Sequence, residues 1–88
     1  MNNREKLNKM DRALSLMEDL KNSQVALVEK VTQLQLEAME FNFSDMEKNM
    51  ATLYSRYQDS LEMLDKEIER FEIKRNKFEN ENDIGQED

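Results

Sequence analysis

The sequence predicts an all-α fold in which two long amphipathic helices form an antiparallel hairpin. The 88-residue chain contains no proline and a single glycine, Gly85, so no helix-breaking residue precedes its last positions. Apolar residues recur every three or four positions in two long stretches, which is the spacing of one face of an α-helix. Between the two stretches, residues typical of a chain reversal surround Asn42.

The first helix is predicted over residues of about 4–40. Its apolar residues follow one another at steps of three, four or seven, as on a single helix face. Lys21 and Gln24 interrupt this pattern, and we interpret the interruption as a small shift of the apolar stripe between Met17 and Leu20. The expected stripe comprises Leu7, Met10, Leu14, Met17, Leu20, Leu27, Val28, Val31, Leu34, Ala38 and Phe41.

The turn is predicted at about 41–45. Asn42 tolerates the left-handed backbone conformation that is common after the end of a helix. Ser44 is a good N-cap residue, and Glu47 stands three residues later, at the spacing of a capping box. The change of apolar stripe near these residues indicates that the chain changes direction here.

The second helix is predicted over about 45–79, so that residues 1–78 form the hairpin domain. Its apolar stripe has steps of three and four residues and is interrupted by Arg75. Residues 79–88 contain five acidic and no basic side chains, and we expect them to form an acidic flexible tail.

One continuous helix in a coiled coil is the alternative architecture. Leu36, Met39, Phe43 and Met46 continue a helical spacing through the predicted turn. Such a helix would be about 110 Å long at 1.5 Å per residue. An isolated hairpin leaves apolar surface exposed, so we expect it to be completed by self-association or by a helical partner into a bundle.

The composition excludes most enzyme chemistry. Without cysteine or histidine, the chain lacks the usual nucleophile and base pairs, zinc sites and disulfides. Two carboxylate pairs, Glu37 with Glu40 and Asp65 with Glu69, lie among Lys and Arg and are interpreted as solvated. We therefore expect no enzymatic activity, no catalytic, cofactor-binding or metal residues, no cofactor and no small-molecule substrate.

Net charge and hydropathy limit the partners further. A net charge of -7 disfavours nucleic acid, which is bound through clustered Lys and Arg. No apolar run approaches the length of a membrane span, and the first residues do not resemble a signal peptide. We expect no membrane insertion and a cytoplasmic location, with leaderless export as an alternative.

These observations predict a non-enzymatic helical protein-interaction module that acts as an adaptor, chaperone or targeting subunit for a larger helical client. A self-associating coiled-coil scaffold is the alternative, and an acidic inhibitor or nucleic-acid mimic is the third hypothesis. The partner is expected to be a helical protein, a second copy of the chain, or both. The predicted interaction residues are Leu27, Val31, Leu34, Phe41, Phe43, Met46, Met50, Leu53, Tyr54, Tyr57, Leu61, Leu64, Ile68, Phe71 and Phe78.

A small, acidic helical hairpin that contains methionine resembles secretion-associated proteins in its general shape. These proteins include export chaperones of type III systems and the hairpin proteins of type VII systems. The latter carry a Trp-x-Gly turn, whereas this chain has Phe41-Asn42-Phe43 at a similar place. This resemblance in shape implies the secretion-associated type as one form of the predicted adaptor, chaperone or targeting subunit.

Overall fold

A computed structural model describes residues 1–82 of the chain. Helix α1 comprises Asn3–Phe41 and helix α2 comprises Ser44–Glu81. The two helices pack against each other as an antiparallel pair, with two connecting residues. The predicted all-α hairpin is therefore confirmed, and the alternative of one continuous helix is not adopted.

Asn2 determines where α1 begins. Its Oδ1 atom accepts a hydrogen bond from the backbone N–H of Glu5 at 2.8 Å, which satisfies one of the unpaired donors of the first turn. The Glu5 carboxylate also lies at the positive end of the helix dipole. The helix consequently begins at Asn3, one residue before the predicted start.

Asn42 reverses the chain in the left-handed conformation, with φ 63° and ψ 34°. The N–H of Phe43 donates to the carbonyl of Ala38 at 3.0 Å, and the N–H of Asn42 donates to the carbonyl of Met39 at 3.2 Å. This pair of hydrogen bonds is a Schellman motif, which satisfies the last carbonyls of a helix. The conformation predicted for Asn42 is confirmed.

The predicted capping box at Ser44 and Glu47 is wrong. The cap position of α2 is Phe43, whose carbonyl accepts the N–H of Glu47 at 3.0 Å, and no side chain caps this end. Because the connection has only two residues, Ser44 already has helical backbone angles. A serine in that position cannot direct its hydroxyl toward the N–H groups of the first turn.

The second helix extends past its predicted end at about 79. Asn82 ends it: its backbone N–H and its Nδ2 atom both donate to the carbonyl of Phe78, at 3.2 and 2.9 Å. Residues 79–81, assigned to the tail by the sequence analysis, are therefore helical. The remainder of the predicted acidic tail, 83–88, lies outside the described residues.

Polar contacts between the helices define their register. The residue numbers of each pair add up to between 84 and 86, so the reversal is centred on Asn42 and Phe43. The pairs are Asn3 with Asn82 at 3.0 Å, Asp11 with Arg75 at 2.6 Å, Lys21 with Asp65 at 2.8 Å and Gln24 with Ser60 at 3.2 Å.

The side chains that face the opposite helix form a seam with alternating steps of three and four residues along both helices. The predicted shift of the α1 stripe near Met17 and Leu20 is wrong, because the seam continues in phase through Lys21 and Gln24. The seam comprises Leu7, Met10, Leu14, Met17, Lys21, Gln24, Val28, Val31, Gln35 and Ala38 of α1, and Met50, Tyr54, Tyr57, Leu61, Leu64, Ile68, Phe71, Arg75 and Phe78 of α2.

The interruption at Arg75 is explained by a forked ion pair, in which Arg75 contacts Asp11 across the seam and Glu79 within α2. Its guanidinium donates to Asp11 at 2.6 Å and to Glu79 at 3.0 Å, and its side chain is 20% exposed. The hydrogen bond to Asp11 raises the pKa of Arg75, although partial burial opposes this effect. The arginine is therefore charged at all pH values at which the protein is handled.

Lys21 occupies an equivalent polar position nearer the middle of the seam. Its hydrogen bond to Asp65, together with the charge of that carboxylate, raises the pKa of Lys21 above its usual 10.5. A raised lysine pKa stabilises the fold at pH values below the pKa of the unfolded chain, and the effect is lost as the pH rises through the folded pKa. The contribution of the raised Lys21 pKa is consequently present at neutral pH and is lost in strong alkali.

The reversal predicts a specific mutational result. Asn42→Val should lower the free energy of unfolding by about 1–2 kcal/mol, because a β-branched side chain clashes in the left-handed region, whereas Asn42→Gly should leave it unchanged or raise it. Urea denaturation followed by circular dichroism measures both. Asn22→Val, on the exposed surface of α1, is the control and should change stability by less than about 0.5 kcal/mol. Equal losses at positions 22 and 42 would contradict the role of Asn42.

The ion pair at Arg75 gives a second prediction. Asp11→Ala should cost about 1 kcal/mol of unfolding free energy, because it leaves a partly buried guanidinium with fewer acceptors. Arg75→Met should cost less, since it replaces the ion pair with an apolar seam residue. Asp19→Ala is the control on the exposed surface. If Arg75→Met proves more harmful than Asp11→Ala in urea denaturation, the ion pair contributes more than its desolvation costs, contrary to this prediction.

Candidate protein-interaction face

The hairpin leaves many of its apolar side chains exposed. Within residues 1–82, four apolar residues are buried, namely Leu7, Val31, Ala38 and Ile68, whereas thirteen large apolar side chains are exposed. Each helix has one neighbour, so only its seam is covered. The candidate site is therefore an extended surface along the helices.

The seam divides the hairpin surface into two long faces. One face carries the Asp11–Arg75 and Lys21–Asp65 ion pairs, and we call it the ion-pair face. On the opposite face, which we call the groove face, described residues line two shallow grooves between the helices. A groove of about 430 Å³ is lined by Leu20, Gln24, Ser60, Met63, Leu64 and Glu67, and one of about 330 Å³ is lined by Lys6, Met10, Lys74, Lys77, Phe78 and Glu81.

Along the groove face, α1 presents four apolar side chains spaced seven residues apart. They are Leu20, Leu27, Leu34 and Phe41, with exposures of 51%, 39%, 39% and 58%. Because seven residues are close to two helical turns, these side chains form one row, which we call the apolar row. Leu16, one turn before Leu20, extends it and is 68% exposed.

The second helix adds apolar surface to the same face. Met63 lines the larger groove and is 74% exposed, and Met46 and Leu53 lie half-buried beside the seam nearer the turn. At the turn, the rings of Phe41 and Phe43 lie 6.0 Å apart at an angle of 51°, and both are exposed. The apolar surface is thus continuous from the middle of the hairpin to its turn.

Charge is divided unequally between the two faces. In the positions flanking the seam, the groove face carries seven basic and three acidic residues, whereas the ion-pair face carries two basic and eight acidic residues. The groove-face set is Lys6, Lys9, Lys30, Arg56, Arg70, Lys74 and Lys77 with Glu37, Glu67 and Glu81. The ion-pair-face set is Arg4 and Lys48 with Asp11, Glu18, Glu29, Glu62, Asp65, Glu69, Glu72 and Glu79. A protein with a net charge of -7 therefore has one basic face.

Basic residues on the groove face concentrate at the open end of the hairpin, away from the turn. Lys6, Lys74 and Lys77 line the smaller groove, and Lys9 lies beside it. The ammonium group of Lys6 lies 4.9 Å from the centre of the Phe78 ring, in a cation–π contact. We call these four lysines the basic end.

Other site types have little support in the described part of the chain. Across residues 1–82, no three carboxylates converge in a way that could hold a metal ion. Neither α1 nor α2 has an apolar stretch long enough to cross a membrane. One polar atom is unusual: Oε1 of Gln24 is buried in the larger groove and accepts no hydrogen bond from any of the described residues.

The predicted interaction residues separate into three groups. Val31 and Ile68 are buried in the seam, where Met50, Tyr57, Leu61, Leu64, Phe71 and Phe78 are half-buried, so these eight residues hold the hairpin together. Met46 and Leu53 are half-buried beside the seam. Exposed surface is presented by Leu27, Leu34, Phe41 and Phe43, and also by Tyr54, which occupies a seam position near the turn but is 38% exposed.

The predicted interaction residues omit Leu16, Leu20 and Met63 of this face, of which Leu20 is assigned to the α1 stripe by the sequence, and they omit the basic end. The residues from Leu20 to Phe41 are spaced seven apart, and this spacing also fits a continuation of the seam pattern, so spacing alone assigns them to the seam. Reading the polar residues Lys21 and Gln24 as seam positions would have separated the two rows. No local signal marks Met63 or the basic end, since both depend on the register between the helices.

No protein-family model, curated protein or solved structure matches this chain.

Proposed function

We propose that this protein is a non-enzymatic helical interaction module that binds a helix of a larger client along its groove face. The observation that carries the proposal is the apolar row of Leu20, Leu27, Leu34 and Phe41, which is exposed and regularly spaced. Leucines at heptad spacing beside a seam are the usual contact of a third helix in a bundle. A third helix here would cover the row and the grooves together.

The composition of the face also supports docking of a helix. Met46 and Met63 are unbranched and flexible, and such side chains adapt to the shape of a bound helix. The unpaired Oε1 of Gln24 lies in the larger groove, where it can accept a hydrogen bond from a polar residue of the client. Aromatic rings at the turn provide large contact areas of the kind that dominate binding energy.

An adaptor, chaperone or targeting subunit of the cytoplasm is the role that fits such a module. It would shield the apolar face of a client helix and use its acidic ion-pair face to remain soluble. Because eight of the predicted interaction residues are used within the hairpin, the client contacts the groove face without having to open the fold.

The apolar row provides the test. Leu27→Glu combined with Leu34→Glu should reduce client retention at least about tenfold, because it places two charges in a desolvated interface. Both side chains lie outside the seam, so helicity should be preserved. The measurement is quantitative mass spectrometry of proteins that co-purify with each tagged variant from its native cells, with circular dichroism as the check on folding.

Leu36→Glu combined with Ile73→Glu is the matched control. These residues are 57% and 63% exposed but lie away from the groove face, so the substitution adds the same charge elsewhere. The control should retain the client as the unmodified protein does. Clients that remain bound after the change in the apolar row, or that are lost equally in the control, would show that the groove face is not the binding site.

A further inference from the structure

Because of the basic end, positive charge on the groove face is concentrated at one end of the hairpin. Its four lysines lie at the open end, while the exposed apolar side chains occupy the middle and the turn end. Lys9 and Lys74 form no ion pair with any residue in the range 1–82, so their charges are not neutralised within the hairpin. A ligand that covers the whole face must therefore be apolar along most of its length and acidic at one end.

We propose that the occupant of the groove face is an amphipathic α-helix of another protein, with acidic side chains at the end that lies against Lys6, Lys9, Lys74 and Lys77. This inference rests on the proposed function and specifies the chemistry of the client. A helix that runs from Phe41 to Lys6 must cover about 50 Å, which corresponds to about 35 residues.

A second copy of the chain is a poor occupant of this face. In a parallel face-to-face dimer, the two basic ends would lie against each other. In an antiparallel dimer, each basic end would lie against the turn end of the other copy, where Glu37 is the single acidic residue in the flanking positions. Like charges oppose the parallel arrangement, and in the antiparallel arrangement one carboxylate faces four lysines.

An anionic membrane surface would also be attracted to the basic end, but its shape does not match the groove face. A membrane-binding helix lays one broad apolar face on the lipid surface. Here Lys30, Arg56 and Arg70 flank the apolar row and the four lysines of the basic end lie beyond it, but the row borders a groove between two helices. A groove of this kind is complementary to a cylindrical helix, since ridges of side chains pack into it.

Two synthetic peptides of about 35 residues test the inference. Both carry leucine at heptad spacing, and they differ in that one has glutamate and the other lysine over about the last ten residues. Fluorescence anisotropy measures binding of each labelled peptide to the full chain. We expect the acidic peptide to bind at least about tenfold more tightly in about 50 mM salt, and this ratio to fall in about 500 mM salt as the charges are screened.

A charge exchange makes the test specific to the basic end. Lys9→Glu combined with Lys74→Glu should weaken binding of the acidic peptide at least about fivefold and strengthen binding of the basic peptide. Lys48→Glu combined with Lys66→Glu causes the same change of net charge away from the groove face and should leave both affinities unchanged. Equal binding of the two peptides to the unmodified chain, or equal effects of the two variants, would overturn the inference.

The apolar-row variant separates this inference from the proposed function. If both peptides bind equally and Leu27→Glu with Leu34→Glu abolishes the binding, the groove face is a docking site without charge preference. If that variant binds both peptides as the unmodified chain does, both proposals fail.

Two further measurements address the other occupants. Binding to vesicles with about 30% phosphatidylserine, in the absence of peptide binding, would identify a membrane surface instead. Self-association in sedimentation equilibrium that is removed by the Lys9→Glu and Lys74→Glu exchange would identify a second copy. Either result would overturn the assignment to an acidic helix.

Discussion

Every contact between the two helices depends on the register imposed by the two-residue reversal at Asn42 and Phe43. The Schellman hydrogen bonds to Ala38 and Met39 fix the backbone conformation of the two connecting residues. The cross-helix polar pairs of residues 1–82 follow from it, from Gln24 with Ser60 in the middle to Asn3 with Asn82 at the open end. A shift by one residue in either helix would remove the seam residues from their partners and break these pairs together.

The polar seam residues have a physical role in maintaining this register. Lys21, Gln24 and Arg75 occupy positions where apolar residues would stabilise the hairpin more, and each finds a partner on the opposite helix. Buried or half-buried polar pairs contribute little net stability, but they penalise registers in which the partners do not meet. In a seam that consists largely of leucine, methionine and aromatic residues, such pairs specify one arrangement among several that are similarly apolar.

The same register creates the difference between the two faces. Because the helices are antiparallel, positions on one side of the α1 seam meet the corresponding positions of α2, and acidic residues accumulate around Asp11 and Asp65. The opposite side receives the apolar row and the basic end. A chain with a net charge of -7 therefore has one face on which basic and apolar residues predominate.

The sequence by itself determined the helical class, the place of the reversal and the absence of cysteine and histidine chemistry. Helix propensity, apolar spacing and the tolerance of asparagine for left-handed angles are local properties, so one chain is enough to read them. These local properties do not distinguish the seam from the apolar row, because the residues of the row have the same helical spacing as the seam. The row is Leu20, Leu27, Leu34 and Phe41. Only the tertiary structure decided which row is covered, since that depends on where α2 lies and on the partners that Lys21 and Gln24 find there. The basic end has the same origin, because Lys6 and Lys74 are 68 positions apart in the chain and meet through the antiparallel register.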